Sequence, residues 1–260
     1  MRKAVMAAAL VLLIGTRASA YSQAGLLDGV VPGPDGRIDV AVVMPHQDDE
    51  SFWSGGALHL LKQDPRVRLT LVCLTLGDKS GAKDALGISG ERLAQIRIKE
   101  LQLAAQVYQA DALYQFDYPD QGLEAAGDAN VTARIVELLQ KIGPEIVITY
   151  GPDGITNHID HRACCRDVTA AFAETEAQRL YYVTGPPWLT RLGMGRDPKP
   201  VMPTIKVNIR STKKLKMLAL QSHASQADFA YSMGNAMRAV KLFNHEWFVV
   251  AGSRPAPAGN

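Results

Sequence analysis

Cysteine is scarce: Cys73, Cys164 and Cys165 are the only three in 260 residues. The count is odd and no Cys-x-x-Cys pair exists, which excludes a zinc-ribbon or thioredoxin-type site. Adjacent Cα atoms lie about 3.8 Å apart, closer than ordinary bridges span, which argues against a Cys164–Cys165 disulfide. Small buried side chains are the better reading of all three. Net charge is nearly absent too. The chain carries 28 basic and 26 acidic residues; without Arg2, Lys3 and Arg17 the balance is 25 against 26, near −1. A general nucleic-acid binder would be clearly basic, so the balance argues against that class, although not against one basic patch. Apolar runs are short. Ala4 to Gly15 spans twelve residues, too few to cross a bilayer, and no longer run follows. Internal repeats and low-complexity segments are missing as well.

What is present begins with an export signal. Arg2 and Lys3 form a positive start, residues 4–15 an apolar core, and Ala18-Ser19-Ala20 a small-residue cleavage pattern. Residues 1–20 are therefore expected to be a signal peptide, which makes the mature chain secreted or periplasmic, with no stable membrane insertion after cleavage. Residues 21–251 fit one α/β domain by length and pattern, and the Pro/Ala/Gly-rich stretch 252–260 is expected to be a disordered tail.

Within 21–251, apolar strands alternate with amphipathic helices. Strands are expected over 37–44, 67–76, 112–116, 145–150, 178–183, 205–209 and 246–250. Helices are expected over 56–62, 90–109, 130–142, 162–173, 212–222 and 228–243. Residues 184–203, rich in Gly and Pro, read as a long irregular loop. This alternation predicts right-handed βαβ units and a single-domain, Rossmann-like, mostly parallel sheet with helices on both faces.

Chemistry concentrates at two strand ends. The first is Pro45-His46-Gln47-Asp48-Asp49-Glu50, directly after the first strand; the second is His158-Ile159-Asp160-His161, after the fourth. Open α/β sheets place ligands beyond the carboxyl ends of their strands. Catalytic metal sites often use three N/O ligands and keep one position open. His46 and Asp49 can converge from one loop, and one of His158 and His161 can complete the set. Asp48 and the remaining histidine are then left for the general base and acid that hydrolysis needs. Glu50 is assigned to the loop or helix start.

The motifs carry a resemblance. Residues 45–50 with Gly55-Gly56 resemble the PHPDDE…GG signature of the PIG-L/LmbE-like N-deacetylase family, and residues 158–161 resemble its HPDH motif. Ile96-Arg97-Ile98-Lys99-Glu100-Leu101 is similar to its R-x-x-E-L helix, and His223-Ala224-Ser225-Gln226 to its late H-x-S-Q motif. The resemblance implies a zinc-dependent deacetylase, with another divalent metal such as Fe2+ as a variant, acting on an N-acetylated sugar or glycoconjugate. By position it implies His46, Asp49 and His161 as metal ligands and Asp48 as general base. His158 becomes the proton donor or oxyanion stabiliser, Asp160 the group that orients or tunes His158, and Arg97 a substrate-holding residue.

Two positions depart from the motifs. Gln47 and Ile159 stand where the family has proline; neither removes a ligand, and both change loop stiffness. Trp188, on the long loop, reads either as a sugar-stacking platform or as a packed loop residue. His223 and Gln226 either buttress the site or cap the helix between them. Asn130-Val131-Thr132 matches a glycosylation acceptor, relevant only in a eukaryotic source. Rival readings of the same constellation are an esterase or phosphoesterase and a non-catalytic glycan-binding protein. A two-metal phosphoesterase wants more bridging ligands than Asp78, Asp117 and Asp120 offer beyond the two clusters. Oligomeric state leaves no signature in the sequence.

Overall fold

The computed structural model describes residues 25–195, 197–227 and 243–255. The expected signal peptide and the helix over 228–243, apart from Phe243, lie outside those residues. In chain order the elements are β1 Ile38–Met44, α1 Asp49–Trp53, α2 Gly55–Leu61, β2 Val67–Thr75, α3 Ala82–Leu86 and α4 Gly90–Tyr108. They continue with β3 Ala112–Tyr118, α5 Leu123–Ala126, α6 Asp128–Ile142, β4 Ile146–Tyr150, α7 Ile159–Ala173, β5 Arg179–Thr184 and α8 Pro187–Leu192. Then come β6 Ile205–Asn208, α9 Lys213–Ser222, α10 Ala224–Ala227 and β7 His245–Ser253.

The strands form one seven-stranded sheet in the order β3-β2-β1-β4-β5-β7-β6. The first five run parallel, and β7 is antiparallel to both β5 and β6. Successive side chains of β1 point to opposite faces, as the twofold period of a strand requires. Val40, Val42 and Met44 join Leu58 of α2, Tyr108 of α4 and Ala219 of α9 in one core. Ala41 and Val43 join Ile135 of α6 and Val168 of α7 in the other. With both faces covered, the central strands can be apolar at every position, which is why they read as continuous hydrophobic runs.

This arrangement fixes where a ligand can sit. From β1 the chain goes to β2 on one side, whereas β4 pairs with β1 on the other. The crevice beyond the carboxyl ends of β1 and β4 is therefore the topological switch point of the sheet. Both sequence clusters open into it.

Two expectations need correction. Residues 184–203 are not a structureless loop: α8 and a 3-10 turn over Gly193–Gly195 lie inside it. Pro187 starts α8, where a missing N–H costs nothing, and the Thr190 hydroxyl donates to the Gly185 carbonyl. The expected tail also begins too early, because β7 runs through Gly252, paired with Leu180, to Ser253.

Candidate active site

The first cluster is a tightly held turn. Pro45 ends β1, and its carbonyl accepts the backbone N–H of Thr75 at 2.9 Å and the Thr75 hydroxyl at 2.8 Å. Asp48 then takes φ +109°, a left-handed conformation that L residues rarely adopt. The turn lets the Asp48 carbonyl accept from Ser51 and Phe52, which starts α1. The Glu50 carboxylate holds the inside of the turn. It accepts the Asp48 N–H, the Ser51 hydroxyl at 2.6 Å and His223 Nε2 at 3.1 Å. Glu50 is thus a framework residue, and His223 buttresses the turn from α9's end rather than merely capping a helix.

The second cluster is a helix start. His158 is the N-cap of α7, its Nδ1 accepting the Asp160 N–H at 3.2 Å. Its other nitrogen, Nε2, therefore carries the proton in the neutral ring. His161 lies in the first turn and donates from Nδ1 to the Gly154 carbonyl at 2.9 Å. Gly154 has φ +59°, and a Cβ there would collide with His161.

The two clusters meet at two ring nitrogens and one carboxylate. His46 Nδ1 is 3.2 Å from His161 Nε2 and 3.3 Å from Asp49 Oδ2, and His161 Nε2 is 3.5 Å from Asp49 Oδ1. Ligands about 2.0–2.1 Å from a tetrahedral zinc stand roughly 3.3–3.4 Å from one another. The protonation pattern agrees. His161 commits its N–H to Gly154, so its Nε2 presents a lone pair. His46 Nε2 faces Asp160 Oδ2 at 3.1 Å and Asp120 Oδ1 at 3.3 Å, so that edge is the donor and Nδ1 is free to ligate. Two lone pairs and a carboxylate at this spacing are tolerable only around a shared proton or a cation. The residues present fit a divalent metal. His158 brings a ring nitrogen within 4.8 Å of nitrogens of His46 and His161, so these three histidines also group as possible metal ligands, as do His46, Asp120 and Asp160.

Outer partners fix these side chains, as a metal site would require. The Tyr150 hydroxyl, at the end of β4, donates to Asp49 Oδ1 at 2.6 Å, and its ring stacks on His161 with centroids 4.1 Å apart. Asp160 and Asp120 hold His46. Arg97, buried on α4, donates to the carbonyls of Gly77 and Gln47 and stands 3.5 Å from Asp48 Oδ1.

Ionisation separates the two adjacent aspartates. Burial pushes the Asp48 carboxyl up to about 7, with Arg97 opposing and Asp49 reinforcing. Burial acts on Asp49 in the same sense, but His161, His46 and the Tyr150 hydroxyl outweigh it and hold Asp49 well below the usual carboxylate range. Burial lowers His161 to about 4 and lowers His158 as well, the latter helped by the charge of His46. Burial opposes charge on His46 too, yet Asp120, Asp160 and Asp49 raise it well above its ordinary value. One carboxylate is thus permanently charged and ligand-like, and its neighbour is poised to take and release a proton near neutrality.

These groups line a cavity of about 370 Å³. His46, Asp48, Asp49, His158 and His161 converge there, as the sequence predicts. The Asp160 carboxylate faces His46 and accepts the backbone N–H of Gln121 at 2.6 Å, while its charge raises His158 and its backbone N–H donates to His158 Nδ1, so it acts on both histidines. Arg97 lines the cavity, with one nitrogen on each of two loop carbonyls and its charge 3.5 Å from Asp48, while its buried Nε–H has no hydrogen-bond partner among the described residues. Trp188, 55% exposed, lies in a separate cleft with Phe243, His245 and Trp247, because α8 turns it towards the far edge of the sheet. Sequence reasoning missed Tyr150, Asp120, Trp53 and Lys79. For Asp120 a signal existed, since it lies in a polar loop directly after a strand; Tyr150 reads simply as the last residue of one.

Comparisons with known proteins follow the same lines. The family profile described as "PIG-L: GlcNAc-PI de-N-acetylase" matches residues 41–172. A Bacillus anthracis protein named probable N-acetyl-alpha-D-glucosaminyl L-malate deacetylase 2 is 31% identical over 191 residues, covering 72% of this chain and 80% of its own. A crystal structure of a conserved protein from Thermus thermophilus superposes with a TM-score of 0.64 at 22% identity, over 84% of this chain and 96% of that one. An N,N'-diacetylchitobiose deacetylase from Pyrococcus horikoshii gives a TM-score of 0.61 at 24% identity, over 82% and 83%. The two solved structures share the fold.

Proposed function

This chain belongs to the PIG-L family of GlcNAc-PI de-N-acetylases, and from that premise we propose that it is a zinc-dependent deacetylase removing the acetyl group from an N-acetylglucosamine-type amide. The observation that carries the reading is the convergence of His46 Nδ1, Asp49 and His161 Nε2 at 3.2–3.5 Å, with Asp48 and His158 lining the same cavity. His46, Asp49 and His161 are the residues that would hold the metal. When bound, a divalent cation supplies Lewis-acid activation of the amide carbonyl and of water.

The remaining work falls to this chain's own groups. The Asp48 carboxylate takes a proton from the attacking water, which a group poised near neutrality can do and then undo. The neutral His158 ring, with Nδ1 occupied by the helix cap, directs its Nε2–H at the developing oxyanion. Tyr150 and Asp160 keep Asp49 and His46 aligned through the step. A C–O bond forms and the C–N bond breaks. Acetate leaves, and the amine departs with the proton taken from water.

The purified protein, supplied with zinc and a GlcNAc glycoside, is expected to release acetate and free amine one for one and to stop on chelation. No acetate from neutral, carboxylate-bearing or phosphate-bearing glycosides overturns the reading. We further propose that residues 1–20 are an export signal and the mature protein is secreted or periplasmic. N-terminal sequencing of the protein recovered from outside the cytoplasm is expected to begin at Tyr21; an intact Met1 there counts against it.

A further inference from the structure

A second cavity, of about 680 Å³, shares no lining residue with the catalytic one. Cys165 and Thr169 of α7 and Tyr182 of β5 line it, and Pro152, Ala170 and Pro198 add further apolar surface. The hydroxyls there are already used. Thr169 donates to the Cys165 carbonyl, so its oxygen accepts the Tyr182 hydroxyl proton at 2.7 Å. Burial pushes the Cys165 thiol up to about 11, so no thiolate stands in this cavity at neutral pH.

Two arginines one turn apart on α7, Arg162 and Arg166, face the same space. Arg166 is exposed and spent on carboxylates, pairing with Asp128 and standing 3.5 Å from Asp167. Arg162 is different. It is half-buried, and its buried Nε–H has no hydrogen-bond partner. Its guanidinium forms no ion pair among the described residues; Glu124, exposed on the same cavity, does not reach it. Buried donors are nearly always paired, because an unmade bond costs the full desolvation of the group. Among the described residues the other arginine in this condition is Arg97, which lines the catalytic cavity.

A guanidinium cannot shed its charge, and its planar fork of donors matches the two oxygens of a carboxylate. With Arg166 paired and Glu124 nearby, the cavity offers one spare positive charge, which fits a monoanion better than a phosphate dianion. The apolar lining suits a hydrocarbon or aromatic body, and the volume lies in the range of small-molecule sites. We infer that this cavity is a second binding site, taking a small organic carboxylate whose oxygens meet Arg162 and whose apolar body lies against Tyr182, Pro152 and Pro198. Its occupancy depends neither on the catalytic metal nor on the deacetylase reading.

Titration calorimetry on the zinc-loaded protein compares 2-naphthoate with 2-naphthamide, a neutral molecule of similar shape. The carboxylate is expected to bind about tenfold more tightly, the worth of one charge-assisted contact. Arg162→Gln is expected to remove that preference and Arg162→Lys to recover part of it. Ala170→Trp, at an exposed lining position, is expected to weaken both probes by filling the cavity. A carboxylate can also bind a metal, so the titrations are repeated on His161→Ala, where naphthoate affinity is expected to be unchanged. No binding of naphthoate, equal affinity for the two probes, or a preference unmoved in Arg162→Gln overturns the inference. Undiminished binding in Ala170→Trp overturns it as well, because the probes then sit elsewhere. Loss of naphthoate binding in His161→Ala has the same force, since it puts the carboxylate on the catalytic metal.

Discussion

Asp48 concentrates the demands of the site on one residue. Its backbone is left-handed at φ +109°, its side chain is buried, and its acid is raised to about 7. Each feature is unfavourable to folding and suits the proposed role of taking a proton beside His46, Asp49 and His161. Asp48→Asn is expected to keep the metal and lose about 10²–10⁴-fold in turnover, the ordinary worth of a general base; unchanged acetate release removes Asp48 from the mechanism. Stability separates the remaining costs. Asp48→Gly relieves the backbone as well as the charge, so it is expected to exceed Asp48→Asn in unfolding free energy by about 1 kcal/mol. The pH dependence has a definite sign. The fold favours the neutral acid, so that contribution is whole below pH 3.8 and is lost as pH rises through about 7. In chelator, the advantage of Asp48→Asn over wild type is expected to grow from pH 5 to pH 8, read from denaturant midpoints. A gap that shrinks over that range contradicts the assignment.

At the level of elements, the start of α7 joins the sheet to the chemistry. His158 is its N-cap with φ −64° and ψ 140°, the extended conformation that a residue before proline prefers. Ile159 occupies the first helical position, where proline is well tolerated. Ile159→Pro is therefore expected to be neutral or to stabilise by up to about 1 kcal/mol in thermal melts, with turnover within about twofold. A loss of more than that means the Ile159 side chain or N–H is used. Gln47 is the opposite case. Its side-chain amide donates to the Thr75 carbonyl at 2.8 Å and to Gln115 Oε1 at 3.1 Å, so Gln47→Pro removes buried hydrogen bonds and is expected to destabilise by about 1–3 kcal/mol. These elements also show what a sequence can and cannot disclose. The strand followed by a charged cluster is legible at both β1 and β4, because buried parallel strands are apolar runs and nothing in a core explains His46 or His161. Right-handed crossovers fix the face each helix covers, whereas the pairing of β4 with β1 is seen only in the folded sheet. Contacts across elements carry no local signature. Tyr150 looks like a core residue, Asp160 looks placed to serve its near neighbour His158, and Trp188 stands out because its loop reads as long, whereas Trp53 is concealed in a helix one turn from the ligands.

For the whole molecule, metal binding and folding are one equilibrium. Two of the proposed ligands come from the turn after β1 and the third from α7, which starts beyond β4, so a cation held by them would bridge segments far apart in the chain at the centre of the sheet. An ion that binds this assembled site and not the unfolded chain stabilises by about 2.7 kcal/mol at a hundredfold excess over Kd, or roughly 5–10 °C in melting temperature at this size. The shift on adding zinc to chelated protein is expected in wild type and in Asp48→Asn, and lost in His161→Ala. It also depends on pH. Three carboxylates raise His46 well above its ordinary value, so in the metal-free protein a proton occupies the Nδ1 position that a metal needs. Binding must release that proton, and affinity falls as pH drops below the raised value of His46. The zinc-induced shift is therefore expected to shrink from pH 8 to pH 6, and proton release to be measurable by titration calorimetry in buffers of different ionisation enthalpy. A shift of equal size in His161→Ala, or one that grows on acidification, would mean that zinc binds elsewhere and that the three converging side chains do not hold it.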